Sequence, residues 1–145
     1  MEQKIDYIAD RLLSIFPMIR KKLGRPSHEG LPAINPTHYQ ILITLKNEGM
    51  LSVSDIGRRL MISKPNMTPL IDKLLSFGFV NRVPDVKDRR IVNISLTDEG
   101  RSYLDERRRR NQHFLGEKLA RLPEGELDEL VGSIDVLFGV LQKLE

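Results

Sequence analysis

The sequence predicts a mainly α-helical chain with a small β-wing, and three observations carry that prediction. Apolar residues recur at helical spacing on both sides of the short break Met61-Ile62, which marks two helices joined by a tight turn. Two alternating runs follow, Phe79–Val83 and Ile91–Leu96, joined by the charged loop Pro84–Arg90, which marks a hairpin. Longer apolar stripes lie toward both ends of the chain. The order of elements between Ser52 and Gly100 is that of a winged helix-turn-helix. The predicted organisation is a winged helix-turn-helix domain over 36–97, set between helical regions at 1–35 and 98–145.

In the first helix Ile5, Ile8, Leu12, Ile15 and Ile19 step by three and four, with Leu13, Phe16 and Leu23 widening the stripe. Pro17 predicts a kink there. Gly24–Asn35 (GRPSHEGLPAIN) is rich in Gly and Pro and reads as a loop. The next helix is expected after Pro36, with Thr37 as N-cap and Gln40 as its capping-box partner, and with Tyr39, Ile41, Leu42 and Leu45 facing inward as far as Gly49. Leu51-Ser52-Val53 can form a short strand that pairs with the wing.

The helix over Ser54–Leu60 begins with a capping box, Ser52 to Asp55. Val53, Ile56 and Leu60 face a core and leave Arg58 and Arg59 toward solvent or phosphate. Ser63 caps the second helix, whose inward residues Met67, Leu70, Ile71, Leu74 and Leu75 keep helical spacing. Its opposite face carries Lys64, Asn66, Thr68, Pro69 and Lys73. These short or basic groups can approach a groove closely and read base edges. Pro65 suits a first turn, whereas Pro69 removes a backbone bond and predicts a bent or tightened turn, its ring available to a thymine methyl.

Gly78 sits where a helix end needs a positive φ, and the hairpin follows it. The hairpin tip ends in Lys87, Asp88, Arg89 and Arg90 and has nothing apolar to cover. Its arginines can enter an A·T-rich minor groove, where the narrow walls deepen the negative potential. Beyond the wing, Thr97 caps a charged helix over 98–122, with ion pairs expected from Asp105 to Arg109 and from Glu106 to Arg110. After Pro123 the last helix, Glu124–Leu144, spaces Leu127, Leu130, Ile134, Leu137, Leu141 and Leu144 as a heptad seam. The terminal stripes exceed what one small core can cover. Pairing of Ile5, Ile8 and Leu12 with Leu130, Ile134, Leu137 and Leu141 between two subunits would bury them.

The chain of 145 residues carries a formal charge of only +3, so attraction to nucleic acid must come from clustering. Four basic residues lie between Arg82 and Arg90, and Arg107–Arg110 is an unbroken basic run. There is no cysteine, which excludes disulfides, thiolate catalysis and cysteine-based redox sensing. The N-terminal segment lacks an apolar run long enough for a signal or a membrane span, so the expectation is a soluble cytoplasmic protein without membrane partners. His28, His38 and His113 lack metal-site spacing, and solvated or capping roles are expected. No phosphate-cradling glycine loop or nucleophile motif occurs. No catalytic residue, metal or cofactor is therefore assigned, and the chain is not expected to be an enzyme.

The run GFVNRVPDVKDRRIVNISLTDEG resembles the wing signature of the MarR (multiple antibiotic resistance regulator) family, matching it at Asp88, Arg90, Leu96, Thr97 and Gly100. The run SDIGRRLMISKPNMTPLIDKLLSFG is similar to the helix-turn-helix of that family. The resemblance implies a homodimeric regulator of double-stranded DNA, usually a repressor relieved by a small ligand or an oxidant. It implies Arg90 in the minor groove with Asp88 as its orienting partner. Ser63, Lys64, Asn66, Thr68, Pro69 and Lys73 then form the reading face, with Ser54, Arg82, Lys87 and Arg89 as wing and flanking contacts. It further implies a pocket near Ile15, Ile19, His38 and Tyr39 for a small aromatic or phenolic effector. Pro69 departs from the family pattern and leaves the bases read open. The alternative is a winged helix that binds protein and not DNA. A steep salt dependence separates the two, since only phosphate neutralisation releases counterions.

Overall fold

The computed structural model describes residues 1–144. Among these the elements run α1 (Glu2–Leu23), α2 (Pro36–Glu48), β1 (Leu51–Ser52), α3 (Val53–Leu60), α4 (Lys64–Ser76), β2 (Val80–Pro84), β3 (Val92–Leu96), α5 (Asp98–Leu119) and α6 (Glu124–Leu141). The chain is mainly α with one antiparallel sheet of order β1-β3-β2, the winged-helix arrangement expected from the sequence. It divides into two units, Met1–Ser27 with Arg110–Glu145, and His28–Arg109.

The core of the second unit is drawn from all four of its helices and the two wing strands: Ile41, Leu42 and Leu45 of α2, Ile56 of α3, Met67, Ile71 and Leu74 of α4, Val80 of β2, Ile94 of β3, and Tyr103 and Leu104 of α5, with Phe79 between α4 and β2. Burying each such aliphatic side chain contributes about 1.5–3 kcal/mol. In the sheet, Leu51 of β1 lies opposite Ile94, and β2 runs against β3 from Val80↔Leu96 to Pro84↔Val92.

The start of α2 differs from the expectation. Its N-cap is Asn35, not Thr37, because Pro36 occupies the first helical position, where the missing N–H costs nothing. Asn35 Oδ1 accepts from the His38 N–H at 2.9 Å, and His38 Nδ1 accepts from the Asn35 N–H at 3.3 Å. A histidine thus closes the capping box in place of Gln40. The box on α3 is one-sided: Ser52 accepts from the Asp55 N–H at 3.0 Å, but the Asp55 carboxylate turns to Arg58. Ser63 has the backbone of an N-cap without a side-chain cap bond. Its carbonyl instead accepts from both Asn66 and Met67 N–H at 3.0 Å, as the residue ahead of a helix commonly does, and α4 continues as one α-helix through Pro69.

The end of α4 is a Schellman turn around Gly78, φ 72°, with Gly78 N–H on the Leu75 carbonyl at 2.9 Å and Phe79 N–H on the Leu74 carbonyl at 3.0 Å. That use of its N–H keeps Phe79 out of β2, which starts at Val80. The Phe79 carbonyl accepts from Thr97 N–H at 3.0 Å, and the Thr97 hydroxyl donates to the Gly78 carbonyl at 2.6 Å while accepting from Gly100 N–H at 3.0 Å. A Cβ on Gly100 would lie 2.2 Å from the Phe79 carbonyl oxygen, so this position in the first turn of α5 admits only glycine without displacement of backbone.

The predicted pair of Asp105 with Arg109 is replaced by two others. Asp105 meets Lys46 of α2 at 2.5 Å, and Arg109 binds Glu106 three residues earlier through two bonds of 2.8 Å. The two C-terminal helices are each three residues shorter than expected, ending at Leu119 and Leu141. In the first unit neither α1, which contains Pro17, nor α6 buries a single residue.

His38 is 8% exposed, and burial together with the charge of Lys73 holds its imidazole below the ordinary value near 6.5. The native state therefore stays neutral over a range where the unfolded chain takes up a proton. Stability conferred by this group is complete above about pH 6.5 and falls as the pH drops below it, levelling once the native histidine itself protonates. His38→Gln retains a side-chain acceptor for the Asn35 N–H but cannot titrate. Melting temperatures measured from pH 8 to 5 should fall less steeply for the variant than for wild type; parallel curves would exclude the cap as a titrating element.

Candidate nucleic-acid interface

The exposed polar face of α4, the candidate reading face, is a consequence of what its other face buries. Met67, Ile71 and Leu74 fix the helix on the core, which leaves Lys64, Asn66, Thr68, Pro69 and Lys73 exposed, with Ser63 ahead of them. The angle between α3 and α4 is set by close backbone approach. Met61 adopts a left-handed conformation, φ 53°, and Ile62 N–H reaches the Gly57 carbonyl at 2.8 Å. A Cβ at Gly57 would stand 2.8 Å from the Ile62 carbonyl oxygen, so glycine is what permits the tight turn.

Three exposed charges of this region are held by intramolecular partners. Lys73 Nζ lies 4.8 Å from the centre of the Phe77 ring. Arg82, on β2, donates to Asp72 of α4 at 2.6 Å, an ion pair that joins helix to wing with both side chains about half exposed. Arg59, which its sequence position leaves toward solvent or phosphate, is paired with Glu48 at 2.5 Å.

The wing tip is organised by two carboxylates. Asp85 Oδ2 accepts from the N–H groups of Lys87 at 3.1 Å and Asp88 at 3.0 Å, and its Oδ1 accepts from Asn93 Nδ2 at 3.1 Å. Asp88 accepts from Arg90 three times, from N–H at 3.0 Å and from Nε and Nη2 at 3.2 Å. These bonds hold both carboxyls below the usual range, Asp85 chiefly through Asn93 and Asp88 chiefly through the Arg90 side chain. The Arg90 side chain is nonetheless 91% exposed, oriented from one side and open on the other. Lys87 and Arg89 are exposed beside it.

Between α3, α4 and the two wing strands lies a groove of about 560 Å³ whose walls include Ser54, Lys64, Thr68, Arg82 and Arg90. Those five were assigned separately from sequence, and folding brings them together. Asn66, Pro69, Lys73, Lys87, Asp88 and Arg89 are not among the groove's lining residues, and of these only Asp88 is partly buried. The residue missed from the sequence-based site is Arg58, which lines the groove with Asp55 at 3.1 Å from its guanidinium. Its place four residues after Ser54, on the same face of α3, was the available signal. The groove therefore has four cations, Arg58, Lys64, Arg82 and Arg90, against the single carboxylate of Asp55. Exposed ion pairs such as Asp55–Arg58 are worth only about 0–1 kcal/mol, so a phosphate can displace the carboxylate at little expense.

The remaining sequence assignments lie elsewhere. Ile5, Ile8, Ile134 and Leu141 are exposed on α1 and α6, with Leu12, Leu130 and Leu137 half-buried. Of the suggested pocket, Ile15 and Ile19 belong to the first unit, while in the second His38 caps α2 and Tyr39 carries the Arg107 guanidinium 4.5 Å above its ring. His113 lies 3.6 Å from Glu117. Among the described residues no group of side chains could hold a metal ion, and no helix is long and apolar enough to cross a membrane.

Comparison with known proteins gives a concordant result. The sequence model of the MarR family matches residues 34–92. A helix-turn-helix-type transcriptional regulator of Mycobacterium bovis is 33% identical over 135 residues, spanning 92% of this chain and 94% of the relative. The transcriptional repressor MdtR of Bacillus subtilis is 31% identical over 94 residues, 65% of this chain and 61% of its own. In three dimensions a transcriptional regulator of Thermotoga maritima superposes with a TM-score of 0.70 at 20% identity, covering 97% of this chain and 96% of that one, a likeness of fold.

Proposed function

The chain belongs to the MarR family of helix-turn-helix transcriptional regulators, DNA-binding proteins and not enzymes, and from that premise we propose that it is a homodimeric, ligand-responsive repressor of a pseudo-palindromic operator. The observation that carries this reading is the groove, where Arg58, Lys64, Arg82 and Arg90 face one concavity beside an exposed reading face. In the bound state α4 lies in the major groove, with Asn66 and Thr68 at base edges. Arg90 enters the adjacent minor groove, and Arg58, Lys64 and Arg82 sit against phosphate. Repression is supported by the similarity to MdtR, a transcriptional repressor of Bacillus subtilis.

Dimerisation is supported by the uncovered apolar faces. Val131, Ile134 and Phe138 of α6 and Ile5 and Ile8 of α1 are all at least 42% exposed, an apolar surface of the sort that marks protein contacts. The effector in this reading is a small aromatic or phenolic molecule, detectable as a thermal shift in a screen of phenolic acids. The protein works in the cytoplasm, on DNA, and needs no cofactor.

Selection of bound sequences from random duplexes should recover two inverted half-sites with centres about 34 Å apart, one helical turn. Asn66→Ala and Thr68→Ala should relax the selected consensus, since a base-edge contact discriminates by roughly 1–3 kcal/mol. Recovery of no consensus by wild type, or an unchanged one by both variants, would refute the assignment. Replacing both Leu137 and Leu141 by Asp puts uncompensated charge into the proposed seam and should yield monomers or unfolded chains in sedimentation. A folded dimer of that variant would place the interface elsewhere.

A further inference from the structure

The seven residues between the ends of β2 and β3 do not hold their shape through strand pairing alone. One carboxylate, that of Asp85, accepts three hydrogen bonds from three different residues of this small hairpin. We propose that Asp85 is the positioning residue of the wing, folding the tip so that Asp88 presents Arg90 to DNA. The proposal rests on the minor-groove role given to Arg90 above.

The bonds form a chain with an anchored end. Asn93 sits within β3, paired with Val83 of β2 on one side and Ser52 of β1 on the other, one pair in from the loop, and donates to Asp85 Oδ1. The other oxygen, Oδ2, gathers the N–H groups of Lys87 and Asp88, which fixes where the Asp88 Cα stands. Asp88 in turn grips Arg90 on both guanidinium nitrogens facing it and on its backbone N–H. An arginine free to turn would lose several rotations on entering a groove. One already held by its neighbour loses fewer, so more of the contact appears as affinity.

Charge makes the proposal sharp, because it argues in the opposite direction. Asp85 is an anion on a surface that meets a polyanion, and removing it should by electrostatics alone tighten binding and never weaken it. Positioning predicts the reverse sign.

The experiment is the salt dependence of binding by the full chain to the duplex obtained by selection, for wild type, Asp85→Ala, Asp85→Asn, Asn93→Ala, Arg90→Ala and the double variant Asp85→Ala/Arg90→Ala, with circular dichroism to establish folding. Asp85→Ala should weaken binding roughly tenfold, the loss expected when a charge-assisted contact is no longer preset. Its salt slope should flatten by about 1 to 2 for a dimer, approaching that of Arg90→Ala. Asp85→Asn should keep most of the affinity, since its amide oxygen still accepts both backbone N–H groups and Asn93 can turn its own oxygen toward the new amide. Asn93→Ala, which removes only the anchor, should weaken binding in the same direction by less. On the Arg90→Ala background, Asp85→Ala should cost nothing further. Folded Asp85→Ala that binds as well as wild type or better, or that weakens both backgrounds equally, overturns the proposal. Wild-type affinity and slope in Arg90→Ala would instead remove the minor-groove reading, and the positioning role would fall with it.

Discussion

The winged helix depends on the peptide groups at Gly78 and Phe79. Here the end of α4, the base of the wing and the start of α5 share one set of hydrogen bonds. Phe79 N–H closes α4, the Phe79 carbonyl receives Thr97, and the Thr97 hydroxyl both donates to Gly78 and caps α5. Because each group is engaged, α4 cannot turn without moving the wing. The Phe79 ring adds an apolar lock, packed 4.6 Å from Tyr103 of α5 and 5.4 Å from Phe77. Gly100 shows how close the fit is: with backbone oxygen 2.2 Å from where a Cβ would be, any other residue must push α5 off this junction.

On that frame the charges are arranged for exchange. The ion pairs Asp55–Arg58 and Asp72–Arg82 are exposed and individually weak, so they hold the cations in place and would oppose their transfer to phosphate little in the proposed complex. The wing carboxylates differ in kind. Asp85 and Asp88 accept several bonds each from the backbone and side chains of the tip, and their depressed proton affinity reflects those bonds. They organise the loop, while Arg58 and Arg82 are merely parked. A net charge of +3 thus understates the interface, since position decides which cations a duplex can meet.

Much of this was legible in sequence because it rests on period and spacing. The helix-turn-helix, the hairpin, Gly78 at its turn and Thr97 at its cap all follow from local patterns that the structure reproduces. The misses have physical causes. Pro36 is itself a signal for a cap at Asn35, but His38 stands where the pattern calls for Glu or Gln, so Thr37 looked the better start. The partner of Asp105 lies 59 residues away in α2, beyond any rule of helical spacing. Phe79 alternates like a strand residue, yet its N–H is already committed to the end of α4. For the site, the residue types were readable one by one. That Ser54, Arg58, Lys64, Thr68, Arg82 and Arg90 share a groove depends on the Gly57 turn and on the sheet register, and neither can be read from spacing.

The central claim is that this groove neutralises phosphate, and its most direct test is the slope of log affinity against log salt for wild-type protein on a duplex. Each phosphate neutralised contributes about −0.9 to that slope. With four groove cations in each subunit, the account predicts a steep negative slope of several units, shallower in proportion when Arg58, Lys64 or Arg82 is replaced by Ala. A slope near zero for wild type, with binding intact, would mean that the contact is not made through these cations and would contradict the account.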